Sequence, residues 1–255
     1  MDKNDIINTK IRISTMTMIS SIDSNIDLNN LYENFRISDK IKYIEYGKNP
    51  VKGEIFRKIK KPRKKKEKKY FYNQLTLHVF SDKLVNTKIF NNGRIQMTGV
   101  KSYDQGKQVV EIFLQELYSL SEEKKESIVD NSNPKINKYE VALINSDFDI
   151  GFKINREVLH RIIVSMNYYS SFEPSIYPGV NIKYYFNENN NDGVCNCMDE
   201  CNGKGKDGYC KKITIAVFNS GKIIITGGQS YLHLTTAYNF IYNLINEKKQ
   251  LLINN

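Results

Sequence analysis

Lys88–Tyr103 reads KIFNNGRIQMTGVKSY and Ala216–Tyr231 reads AVFNSGKIIITGGQSY. Aligned without a gap, the two stretches agree at 8 of 16 positions: Phe, Asn, Gly, Ile, Thr, Gly, Ser and Tyr, in that order. Agreement of that density marks an internal duplication. Each copy predicts a strand, a tight turn, a second strand and a helix start. Asn92-Gly93 and Ser220-Gly221 supply the turns, because glycine reaches positive φ at little steric cost. Ser102 with Gln105 has capping-box spacing, and Ser230 stands where it would cap the equivalent helix.

Helical stripes follow both copies. Val110, Phe113, Leu117 and Leu120 recur at offsets of three and four, as do Leu234, Ala237, Ile241 and Leu244. Upstream, Ile11–Ser20 is strand-like, and Leu28, Leu31, Tyr32 and Phe35 have helical spacing. In the second half, residues 139–145 are strand-like, and Leu159, Ile162, Ile163 and Met166 form the matching stripe. The expected organisation is a first repeat over 10–120 with a basic insertion at 52–69, a polar connector over 121–138, and a second repeat over 139–250 with a cysteine-rich insertion at 187–212. An antiparallel sheet with helices on one face leaves its other face uncovered. Ile224 and Thr226 alternate with Ile223 and Ile225, so the uncovered face is in part apolar and is a candidate binding surface.

The chain has 255 residues, 40% hydrophobic and 26% charged, with a formal charge of +10. Between Arg57 and Lys69 ten basic residues and one acidic one give 10 − 1 = +9, leaving about +1 for everything else. The basic run reads as an arm adding phosphate contacts, a nuclear address, or a solvated loop without a partner. No apolar run reaches the ~18–20 residues of a membrane span, so no membrane partner is expected, and the N-terminus lacks a signal peptide's apolar core. An intracellular protein is the expectation. The histidines His78, His160 and His233 are scattered, with no nucleophile motif beside them, and no enzyme is expected.

Cys195, Cys197, Cys201 and Cys210 are the chain's four cysteines, confined to sixteen residues. Four thiolates so close in sequence form a candidate structural Zn²⁺ cage, helped by glycines at 203, 205 and 208. Reduced unligated thiols and disulfides are the alternatives.

The duplicated block resembles the TATA-box-binding protein family, whose repeats carry the pattern IF-x-SG-K-φφ-TG-A-K. Ser170–Gly179, SSFEPSIYPG, is similar to that family's SSYEPELFPG; DIGFKI at Asp149–Ile154 is similar to DVKFPI, and Ile26-Asp27-Leu28 to LDL. The resemblance implies an α+β fold, a two-repeat saddle with a curved antiparallel sheet and helices on its convex face. It implies binding and bending of double-stranded A/T-rich promoter DNA through the minor groove. It further implies recruitment of a transcription factor IIB-like factor and RNA polymerase machinery, in a nucleus or viral replication compartment or inside a virion.

Residue by residue, the resemblance makes Phe90, Phe218 and Tyr177, followed by Pro178, intercalating wedges, with Phe71 as the remaining one. Thr98, Thr226, Ile224 and Ala216 match groove-facing positions, and Arg94, Lys101 and Lys222 match phosphate-contacting ones. Thr15, Thr17 and Asn145 lie on the groove strands. Lys88 and Gln96 stand where aliphatic side chains are usual, and Gln229 where a lysine is. Glu173 and Ile176 match the partner-docking segment, where Ser175 replaces an acidic contact. A promoter-binding transcription factor is the expectation, supported by the retained Phe90, Phe218 and Tyr177-Pro178. The near-neutral body, Lys88 and Gln96 support a rival reading, a saddle-shaped protein-interaction or DNA-packaging protein without specific TATA recognition.

Overall fold

The computed structural model describes residues 10–54 and 69–253. The basic run therefore lies outside the described residues except for Lys69. The chain divides into two compact units, Met16–Ala142 and Met1–Thr15 with Leu143–Asn255, called here the first-half and second-half units.

The first-half unit takes most of β1 (Arg12–Ile22), then α1 (Leu28–Asn34), β2 (Ile41–Glu45), β3 (Lys52–Gly53), β4 (Gln74–Phe80), β5 (Leu84–Phe90), β6 (Arg94–Val100), α2 (Tyr103–Tyr118) and α3 (Glu122–Ile128). The segment 121–138 thus holds a helix and the first residues of β7 (Ile136–Asp149). The strand order is β1-β6-β5-β4-β2-β3. Strict alternation builds the core: Leu75, Leu77, Val79, Val85, Ile89, Ile95 and Met97 are fully buried. They meet the stripe of α2, where Val110, Phe113 and Leu117 are fully buried and Phe113 packs 5.7 Å from the Phe35 ring. Each such side chain contributes about 1.5–3 kcal/mol of apolar burial. Leu120 falls beyond the helix, whose last residue is Tyr118 and whose C-cap is Ser119.

The second-half unit contains most of β7, then α4 (Arg156–Ser165), β8 (Tyr169–Ser171), β9 (Val180–Asn187), β10 (Asn190–Gly193), β11 (Lys211–Val217), β12 (Lys222–Gly228), α5 (Tyr231–Glu247) and α6 (Lys249–Leu252). Its strand order is β10-β9-β11-β12-β7, with β8 beside β9. Val180, Ile182, Ile213, Ile215, Ile223 and Ile225 are buried beneath Leu234, Ala237 and Ile241 of α5. In the stripe of α4, Leu159 and Ile163 are buried, whereas Met166, at the helix end, is 43% exposed. No helix among the described residues is long and apolar enough to cross a membrane.

The duplication is visible in backbone geometry. Gly93 and Gly221 have φ of +74° and +86°, and Gly99 and Gly227 have +96° and +95°. Each turn glycine donates its N–H to the phenylalanine carbonyl three residues earlier, Gly93 to Phe90 at 3.1 Å and Gly221 to Phe218 at 3.0 Å. Ser102 caps α2 by accepting from the Gln105 N–H at 3.1 Å, and Ser230 caps α5 by accepting from the His233 N–H at 3.3 Å. The expected capping box closes differently: Gln105 Oε1 accepts from the Lys101 N–H at 2.8 Å.

The expected curved saddle with helices on its convex face is corrected. Within each unit the strands form an open antiparallel sheet, against which that unit's helices pack. The reason is that alternation and turn chemistry dictate which strands pair and which face is buried. Curvature is a separate property, set by bulges and kinks that these patterns do not encode.

A Cβ built on Gly221 would lie 2.3 Å from the Phe152 carbonyl oxygen, a backbone atom that cannot swing aside, whereas one on Gly99 meets nothing within 4 Å. Gly221→Ala is therefore expected to cost well over the ~1 kcal/mol of φ strain alone that Gly99→Ala incurs. Denaturant midpoints of the two variants check this; equal losses would remove the steric argument.

Candidate nucleic-acid interface

In the first-half unit, the side chains alternating with the core residues form cross-strand rows on the face away from the helices. One row runs Thr17, Thr98, Asn86, His78, and the next runs Ile19, Gln96, Lys88, Thr76, Glu45. Phe90 faces Gln74 at the end of the hairpin. Lys88 Nζ donates to Gln74 Oε1 at 3.3 Å, and Asn86 Nδ2 lies 3.3 Å from His78 Nε2. The His78 ring stacks on Tyr43 with centroids 4.4 Å apart. Phe71 is 56% exposed and borders, with Tyr70 and Lys69, a cavity of about 610 Å³ over these rows. Arg94, Thr98 and Lys101 are exposed.

In the second-half unit, one row runs Asn145, Thr226, Thr214, Lys183, Tyr169, and the next runs Asp147, Ile224, Ala216, Asn181, Ser171. Thr226 Oγ1 donates to Asn145 Oδ1. Lys183 Nζ donates to Thr214 Oγ1 at 2.9 Å. Ile224 is exposed, whereas Ala216, its neighbour in the row, is buried. Thr15 is half-buried, and its Oγ1 has no hydrogen-bond partner among the described residues. Tyr177 and Phe218 meet edge to face, with centroids 5.8 Å apart. Gly179 makes room for them, since a Cβ there would lie 2.9 Å from the Tyr177 ring. Pro178 is exposed, and its carbonyl accepts from Arg156 Nη1. Lys222 is exposed at the start of β12.

The segment 173–177 forms a tight turn, in which the Glu173 carbonyl accepts from the Ile176 and Tyr177 N–H groups at 3.0 and 2.9 Å. This presents Ile176 at 84% exposure. The Glu173 carboxylate accepts from the Ser175 hydroxyl at 2.7 Å.

Sequence reading passed over one feature of the second-half face. Asp147 Oδ2 accepts from Arg12 Nε at 3.2 Å and Nη2 at 2.8 Å, and Asp147 Oδ1 accepts from Ser14 Oγ at 2.6 Å. Burial raises the Asp147 carboxyl, but the bonds from Ser14 and Arg12 outweigh it and hold the group below the usual carboxylate range. The signal was present in β7, where Asn145, Asp147 and Asp149 alternate with Ile144, Ser146 and Phe148. Asn181 and Lys183, alternating with apolar residues in β9, were legible in the same way.

The four cysteines come together. Their Sγ atoms all lie within 4.8 Å of one another, with Cys197 3.5 Å and Cys195 3.9 Å from Cys210. None is in a disulfide. A tetrahedral Zn²⁺ with Zn–S near 2.3 Å places its sulfurs about 3.8 Å apart, so this donor set fits such an ion. Burial pushes the Cys195 thiol up to about 12, while a backbone N–H from Cys210 lowers Cys197.

His233, in the first turn of α5, packs on Phe186 with centroids 4.7 Å apart. Its Nδ1 accepts from the Gln229 N–H at 3.1 Å. Burial, with Lys211 nearby, pushes its pKa down from 6.5 to about 4.

The family model described as "Transcription factor TFIID (or TATA-binding protein, TBP)" matches residues 138–248. A protein of Acanthamoeba polyphaga mimivirus called "TATA-box-binding protein-like" is 28% identical over 260 residues. That alignment covers 92% of this chain and 65% of the viral one, so the chain spans about two thirds of that relative. Among solved structures, Methanococcus jannaschii TBP matches with a TM-score of 0.56 and 21% identity, over 94% of this chain and 99% of that one. At that identity the likeness speaks to the fold.

The depressed His233 pKa has a sign. Between about 4 and 6.5 the unfolded chain binds the proton and the folded one does not, so stability falls as pH falls through that window. His233→Asn keeps a hydrogen-bond acceptor and is expected to flatten this part of the curve. Denaturant titrations from pH 7 to 4 check it, and an unchanged slope in the variant would count against the assignment.

Proposed function

We propose that this chain, a distant homologue of the TATA-binding-protein family and non-catalytic like its relatives, binds double-stranded DNA as a sequence-tolerant binding and protein-interaction component. In this reading the helix-free sheet faces approach the minor groove, and the chain lacks strict TATA recognition. The observation that carries it is the polarity of those faces. Glu45, Thr76, Lys88 and Gln96 take four of the five places in one row of the first-half unit, beside Ile19, and the ion pair of Arg12 with Asp147 stands in the second-half unit. A surface selective for A·T pairs meets base edges that offer only acceptors and no exocyclic amine, and a face rich in carboxylate and amide groups gives up that discrimination. The family model also matches the second half, while Lys88 and Gln96 belong to the first.

A second reading, promoter recognition with bending and recruitment of a transcription factor IIB-like factor and RNA polymerase machinery, has its own support. Tyr177 and Phe218 form an aromatic pair at one end of the second-half face, and Ile176 projects from its turn. Phe71, Phe90, Phe218 and Tyr177 are the proposed wedges, and Arg94, Lys101 and Lys222 the proposed phosphate contacts. The proposed setting is a nucleus, a viral replication compartment or a virion. Binding and bending of TATA-containing and G·C-rich duplexes across a salt series separates the two readings. The first expects affinity that falls steeply with salt and no preference for the TATA-containing duplex. A salt-resistant TATA preference with a bend lost in Phe90→Ala/Phe218→Ala would install the second.

The cysteine cluster is proposed as a structural Zn²⁺ site, with Cys195, Cys197, Cys201 and Cys210 as its ligands. The ion would tie the insertion to the start of β11, one residue after Cys210. Elemental analysis of purified protein should find about one zinc per chain. Metal-free native protein with four freely reactive thiols would sink the assignment.

A further inference from the structure

An aspartate on a face proposed to meet DNA calls for a reason, since a carboxylate near phosphates is repelled. Asp147 is held in place rather than free to swing out. Three hydrogen bonds from Arg12 and Ser14 fix it, and its side chain keeps 24% exposure beside an Arg12 side chain that is 75% exposed. It pairs across the ladder with the exposed Ile224. With Arg12, Ser14, Phe218, Lys222 and Ile224 it borders a cavity of about 410 Å³. The carboxylate stays ionised near neutral pH, since its hydrogen bonds hold its pKa down. An ionised carboxylate only accepts, through about four lone-pair sites, of which three are engaged here.

The minor-groove edge of a base pair sorts partners for such a group. A·T and T·A pairs present adenine N3 and thymine O2, both acceptors, and a carboxylate gains nothing from either. A G·C pair adds the guanine N2 amine, the one donor in that groove. A guanidinium beside the carboxylate can donate to the acceptors flanking that amine.

We propose that Asp147, oriented by Arg12 and Ser14, is a specificity-determining residue that favours a G·C pair beneath the second-half sheet face. The ligand class is therefore duplex DNA carrying a guanine amine at one fixed position. This deepens the DNA-binding reading above and rests on its minor-groove approach. It also gives that reading a physical cause for the loss of strict TATA recognition.

The test changes one amine at a time. A G·C pair is walked through an A/T-rich duplex and then replaced by inosine·C, which deletes the N2 amine and leaves the major-groove edge of guanine intact. In parallel, an A·T pair is replaced by 2,6-diaminopurine·T, which adds the amine. The protein should bind about tenfold more weakly when inosine replaces guanine at one position, and should regain that affinity with diaminopurine there. Asp147→Asn and Asp147→Ser, each checked for native folding by circular dichroism, should erase the difference while still binding duplex. Binding indifferent to the amine at every position overturns the proposal and leaves DNA binding standing, as does an amine effect that survives in both variants. Failure of the folded wild-type protein to bind any duplex overturns the DNA-binding reading and this inference with it.

Discussion

In each unit a hairpin turn presses against the connection between a strand and its following helix. At Gly93 a Cβ would fall 2.3 Å from the Ser24 carbonyl oxygen, and at Gly221 the same distance from that of Phe152. Both approaches exist only because the side chain is missing. With the turn fixed, strand register follows, since a slip of one residue would turn the core set of β6 or β12 outward. Register then decides which side chains share a row, and the helices capped by Ser102 and Ser230 start from the ends of those same strands. The candidate interface is therefore a consequence of two turns.

What the rows present differs between the units. The first-half unit offers amides, a lysine and a carboxylate in hydrogen-bond contact or in register. The second-half unit mixes Ile224 and Phe218 with an ion pair. Exposed ion pairs contribute little stability, about 0–1 kcal/mol, so the Arg12–Asp147 pair matters more for what it presents than for what it holds together. Apolar burial beneath the helices supplies the stability, which leaves the opposite face free to vary in chemistry without loss of fold.

The insertions follow another logic. The cysteine-rich insertion contains β10, and its thiols converge on the start of β11. Such convergence compensates for a loop of glycine, lysine and asparagine with little apolar surface to bury.

The duplicated hairpins, the helix stripes, the caps and the four-cysteine cluster were legible from the sequence, because each rests on local periodicity, turn chemistry or spacing. The resemblance singled out Tyr177 and Phe218 separately, and only the folded chain shows that their rings meet. Asp147 was passed over although β7 alternates, since its importance comes from Arg12 and Ser14, more than 130 residues away in sequence. Ala216 matched a groove-facing position and shares its row with Ile224 and Asn181, yet it is buried. The open sheet in place of the expected curved one has the same origin. Local pattern determined which residues form each strand and which face is buried. Only tertiary structure decided what each side chain meets there, because cross-strand partners are set by register between segments distant in sequence.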